Sequence, residues 1–298
     1  VIELDAATVL LQWSVGGMLF CWVTTRHREV GLGYGWLLRG TYLLLALGGL
    51  AAGLRFGTVP VREAATAGFV LACAVALGVS IARRRAGVSG QHAEHDRRSA
   101  RVAAMTGIER GPASDGAAHD GAAPADSAAP PPRREFPPIL DLVPVLIGSV
   151  GLVAAAIDAG GNTLTALLRT FAGAAFLGAV TDAMLLGHWY LVQPGLPRRH
   201  LHELVTWLGR VWPIEVIAML LPIGMISVFT GAVDDGWGGM LGWFWAACAV
   251  TTIVLVVVTK AALKERQYSA VMAATGLLYL AILTAFGTDL VARAVLAA

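Results

Sequence analysis

Eight long apolar stretches, separated mostly by short basic or acidic loops, constrain this 298-residue chain more than any other feature. Each approaches or exceeds the roughly 20 residues needed to cross a hydrocarbon slab ~30 Å thick. They fall near 7–25, 36–54, 65–82, 139–157, 164–192, 204–230, 240–260 and 268–292. Only 14% of the residues are charged and 56% are hydrophobic, whereas a soluble domain carries about 25% charge. The expected fold is therefore an all-α polytopic membrane protein with eight transmembrane helices. That excludes a soluble enzyme, a secreted disulfide scaffold and a nucleic-acid binder, and makes the lipid bilayer the first partner. Membrane or cytoplasmic protein subunits are the other candidate partners.

Charge in the loops gives an orientation. Eighteen of the 22 basic residues fall in or beside the loops after spans one, three, five and seven, from Arg26 and Arg28 through Arg83, Arg84 and Arg85 to Lys260 and Lys264. The opposite side has Arg55, Arg62 and Arg293, with Asp158, Asp234 and Asp235 nearby. Basic loops stay in the cytoplasm, so both termini are expected on the outer side of a cell inner (plasma) membrane. Only Lys260 and Lys264 are lysines, a bias that fits a GC-rich bacterial genome. The acidic start, Glu3 and Asp5, does not read as a cleavable signal peptide.

Residues 86–137 differ from the rest. Rich in Ala, Gly, Pro, Asp and Ser, they bury too little to offset ordering and are expected to form a disordered cytoplasmic linker. The chain thus divides into 1–85 with three spans, the linker, 138–163 with the fourth, and 164–298 with the last four. Within the linker, His92, His95 and Asp96 have a metal-like spacing but no fold to fix it, so no metal site is assigned. Cys21, Cys73 and Cys248 lie in apolar runs and read as small packing residues.

The two halves echo each other. Phe69-Val-Leu-Ala72-Cys73-Ala74-Val75 in span three matches Phe244-Trp-Ala-Ala247-Cys248-Ala249-Val250 in span seven. Trp36-Leu-Leu-Arg39 matches Trp207-Leu-Gly-Arg210, Gly16 matches Gly173, and Gly151-Leu152 matches Gly276-Leu277. Both copies begin on the same side, so the repeat is parallel: two four-helix units related by an axis along the membrane normal.

Ionisable groups inside a span are costly and therefore candidates for function. Asp182 lies about ten residues into span five from its cytoplasmic end, and Glu215 about as far into span six, so both are expected near the bilayer middle. Two carboxyls sharing a dry site resist ionising together, the arrangement a proton relay requires. His188, Trp189, Tyr190 and Gln193 end span five, and Arg210 lies near the start of span six; together they form a candidate ligand-binding mouth. His27 and His188 could suggest a bis-histidine haem, but Arg26-His27-Arg28 reads as a solvated turn, as do His200 and His202.

These residues support three readings. The first is a quinone-interacting, proton-handling membrane subunit of a redox complex, in which His, Tyr and carboxyl groups serve a lipid quinone. Two four-helix units are similar in layout to membrane subunits of the polysulfide-reductase type, which implies a quinone-linked anchor. The second is a proton-coupled transporter of a small solute. The third is a non-catalytic membrane scaffold or assembly protein. No nucleophile–base set or phosphate loop assigns an enzyme activity, and no substrate is identified.

Overall fold

The computed structural model describes residues 4–90, 100, 135–193, 195–265 and 267–296. Most of the expected linker, with His92, His95 and Asp96, lies outside the described residues. Among the described residues eight long helices follow one another: α1 (Ala6–Thr25), α2 (Leu32–Phe56), α3 (Pro60–Ala82), α4 (Leu142–Asp158), α5 (Thr163–Val192), α6 (Arg199–Leu220), α7 (Met240–Ala262) and α8 (Tyr268–Leu296). No strand occurs among the described residues.

Local signals set the helix ends. Asp5 caps α1 by accepting from the amides of Ala7 and Thr8, and Asn162 caps α5 through the Thr165 amide. Such caps satisfy amides that have no partner in the first turn. Pro60 opens α3, where its missing N–H costs nothing. The structure shortens span six at its far end, because Pro222 stops α6 at Leu220. A single helical turn, Ile226–Phe229, follows.

Seven helices, counting the turn Pro138–Asp141 with α4, are long and apolar enough to cross a membrane. The exception is α6, whose 22 residues include Arg199, His200, His202, Glu203, Arg210 and Glu215. It nonetheless runs between the same two faces as its neighbours. One face carries the start of α1 and the end of α8, and is called the terminal face below; the other is the arginine-rich face.

Packing is organised around α1 and α5. α1 has no separate polar face and most of its residues are buried, whereas α2, α3 and α8 bury a minority of theirs, which is what a central helix requires. α1 packs on α2 and α4, and α5 packs on α6 and α8. The outer helices close each group, α3 between α2 and α4, and α7 between α6 and α8. α1 and α5 meet directly, and a Cβ at Gly16 would overlap the Ala174 carbonyl, while one at Gly178 would overlap the Gly16 backbone. Glycine here allows two backbones to touch.

Candidate functional site

A cavity of about 530 Å³ opens on the terminal face, between the start of α1, the α4–α5 turn and the ends of α6 and α8. Asp5 and Thr8 from α1, Asp158 and Asn162 from the α4–α5 turn, and Arg169 and Arg293 line it. Both arginines are held in place. Arg169 donates from Nε to the Ala218 carbonyl at 3.1 Å and from Nη2 to the Leu221 carbonyl, satisfying the frayed end of α6. Arg293 donates from Nε to Asp289 one turn earlier, at 2.8 and 3.0 Å, and from Nη2 to the Arg169 carbonyl at 2.7 Å. Nη1 of each makes no hydrogen bond among the described residues.

Beneath these arginines lies a buried acidic pair. Asp289 accepts from Gln12 Nε2 at 3.3 Å and from Arg293. Glu215 is fully buried beside Asp289, no donor group among the described residues reaches its carboxyl, and the guanidiniums of Arg293 and Arg169 act on it as well. Two carboxyl groups and two guanidiniums thus share a low-dielectric space, in which two neighbouring carboxyls resist ionising together.

Asp182 lies elsewhere. It is fully buried between α5 and α2, where the Tyr42 hydroxyl donates to Oδ1 and the Tyr34 hydroxyl donates to its backbone carbonyl at 3.3 Å. Its Oδ2 has no partner. Asp182 and Glu215 therefore do not share the single depth expected from the sequence. Arg169 sets α5 against the end of α6, so Glu215 stands near the level of Gly173, nine residues from Asp182 and about 13 Å away along the axis. The cause is the Arg-rich turn before span six, which continues α6 from Arg199 and so carries Glu215 past the middle.

The residues of the expected mouth are also dispersed. Gln193 ties the α1–α2 turn to α5: its Nε2 donates to the Glu29 carbonyl, and its Oε1 accepts from the Gly31 amide and from Trp189 Nε1. Tyr190 is buried and donates to the Pro197 carbonyl at 2.7 Å. Trp189 also packs on Tyr34. His188 instead faces outward beside Tyr279 of α8, with Nδ1 3.3 Å from the tyrosine hydroxyl. Arg210 is exposed and lies over the Trp207 ring. It does not reach Glu215. His27 packs against His200, not His188, so the two histidines of the haem pattern are apart. His200, expected in solvent, is buried.

Several residues of these clusters were not singled out from sequence. Asp289 and Arg293 form an i,i+4 acid–base pair near the end of the last span, a signal that could have been read. Gln12 and Arg169 are polar residues in otherwise apolar runs. Tyr42 gave no signal, because an aromatic residue in a membrane span needs no special role.

On the terminal face, the glycine-rich loop before α7 wraps Asp235, which accepts from the amides of Trp237, Gly239 and Leu241 at 2.8–2.9 Å. Those amides hold its carboxyl below the usual range. No family model matches the chain, and neither a curated protein nor a solved structure matches it.

Proposed function

We propose that this multi-pass membrane protein is a proton-coupled transporter of a small, carboxylate-bearing solute, entered from the terminal face. The observation that carries the reading is the cavity above the Glu215–Asp289 pair, with an uncommitted Nη1 on each of Arg169 and Arg293. A volume of that size suits a small molecule, and guanidinium groups suit a carboxylate. The coupling follows from charge balance. An arriving carboxylate adds one negative charge to a dry space that already holds the Asp289 and Glu215 carboxyls. A proton carried by that pair, with Glu215 as its bearer, offsets the added charge.

The transport reading counts α6 as an eighth span, with the terminal face outside the inner membrane. It also takes the halves as a parallel repeat, supported by the matching neighbours of α1 and α5 and by their contact at Gly16 and Gly178. Rocking of one half against the other about that contact would expose the cavity to the opposite side. Asp182, about 13 Å further along, is the second proton-bearing group, with Tyr42 from the first half as its partner.

Binding tests this reading. Purified protein in nanodiscs is titrated with radiolabelled succinate or lactate. Saturable binding that Arg169→Gln and Arg293→Gln each weaken at least tenfold is the expected result; equal binding by wild type and both variants would overturn it.

A quinone role has one specific observation in its favour. His188 and Tyr279 form an exposed donor–acceptor pair on apolar helices, where a lipid quinone arrives. Stoichiometric quinone in an organic extract of the purified protein, lost in His188→Ala, would favour that reading over transport.

A further inference from the structure

On the arginine-rich face, the α1–α2 turn meets the first turn of α6. His27 comes from the turn, and His200 and Glu203 come from α6, three residues apart and so on one helical face. One nitrogen of each histidine and one oxygen of Glu203 all lie within 4.8 Å of one another. We propose that His27, His200 and Glu203 bind a divalent cation of the zinc class.

His200 gives the strongest support. Only 2% exposed, it directs Nε2 at Glu29 Oε2, 2.6 Å away, while its Nδ1 is buried with no hydrogen-bond partner among the described residues. A proton on Nε2, shared with Glu29, leaves Nδ1 as a bare lone pair inside the protein. Leaving such an acceptor unmatched is unfavourable, and a carboxylate on the far nitrogen is the usual device that orients a metal-binding histidine.

His27 shows a related conflict. Its Nε2 stands 3.2 Å from Glu203 Oε2, an acceptor, and 3.3 Å from Arg26 Nε, a donor, and one nitrogen cannot satisfy both. A cation between His27, His200 and Glu203 removes both mismatches. In a tetrahedral zinc site the donors are about 3.3 Å apart, as follows from bonds of about 2.0 Å, so these side chains need to close by up to about 1.5 Å.

The frame is already fixed. Gln193 holds the turn at Glu29 and Gly31, and the Gly90 amide donates to the Arg28 carbonyl. Charge is the remaining question, since Arg26 pairs with Glu203 and Arg199 with Glu29. The Arg26 side chain is 37% exposed and can turn into solvent when the cation arrives. Bound there, the ion clamps the first half of the chain to α6 of the second.

The test uses the full chain in mild detergent, with Zn²⁺ in competition with a chromophoric chelator and Co²⁺ as a spectroscopic probe. One Zn²⁺ per chain and tetrahedral Co²⁺ absorption are expected. Both should be lost in His27→Ala and His200→Ala and retained in a His92→Ala/His95→Ala variant. Glu29→Gln should weaken binding by about 10–100-fold, and Arg26→Gln should tighten it, an effect that a purely structural role for the turn would not produce. If His200→Ala fails to fold, His27→Ala decides, since that side chain is also 37% exposed. Equal Zn²⁺ binding by wild type and His27→Ala, or its loss on changing His92 and His95, would overturn the proposal.

Discussion

Trp36-x-x-Arg39 and Trp207-x-x-Arg210 begin as the same motif and end as opposites. Arg39 is 2% exposed and makes a two-pronged ion pair with Asp141, both contacts at 2.7 Å. Thr25 donates to the same carboxylate, Trp36 donates to Ser80, and the Phe136 ring covers the guanidinium. Arg210 is exposed and lies over the Trp207 ring, with no ion pair among the described residues. The difference is the acid. Asp141 stands at the start of α4, whereas the spacing of Gly151-Leu152 and Gly276-Leu277 leads from Asp141 to Arg266, a base, before α8. A guanidinium enters a membrane core only with a carboxylate to meet it, which Arg39 has and Arg210 lacks among the described residues. On the terminal face the second half holds the less settled cluster: Arg62 there pairs with Asp5 and Glu63, whereas no donor group among the described residues reaches Glu215.

The comparison can be broken by mutation. Asp141→Asn should cost the most, about 3–5 kcal/mol, because it leaves a buried guanidinium uncompensated. It is read as a large fall in unfolding temperature in detergent, and Arg39→Met combined with Asp141→Leu should recover most of the loss. Gly16→Val should cost about 1–3 kcal/mol or more, since the new side chain meets the Ala174 backbone, which cannot swing aside. A native melting temperature in that variant would contradict the α1–α5 contact. Tyr42→Phe should cost about 1–3 kcal/mol by leaving Asp182 with no side-chain donor. Arg210→Gln should be the mildest, within about 0.5 kcal/mol, as for surface substitutions generally. A loss as large as that of Asp141→Asn would mean that Arg210 has a buried role.

These contrasts also show what the sequence could reveal. Helix α1 begins within a residue of its expected span, and α5, α7 and α8 begin as closely, because apolar length and capping are local properties. The depth of Glu215 does not follow from its apolar run, because α6 starts five residues before that run, with Arg199 and His200 already helical. Apolarity does not record where a polar helix end begins. The burial of Arg39 is hidden for a similar reason: Asp141, its partner, lies 102 residues away, and no local pattern joins them. His200 was assigned to solvent because its neighbours are arginines, yet Glu29 from the first half encloses it. Partners contributed by a distant helix decide burial, and they escape any reading that proceeds along the chain.

The most direct test of the coupling between the cavity and Glu215 is proton movement driven by solute. Proteoliposomes loaded with a pH-sensitive dye are mixed with succinate or lactate, for wild type and Glu215→Gln. The account predicts solute-dependent acidification of the lumen with wild-type protein and its loss in Glu215→Gln, while that variant still folds and binds solute. Acidification at the wild-type rate in Glu215→Gln, or none above protein-free vesicles in wild type, would contradict it.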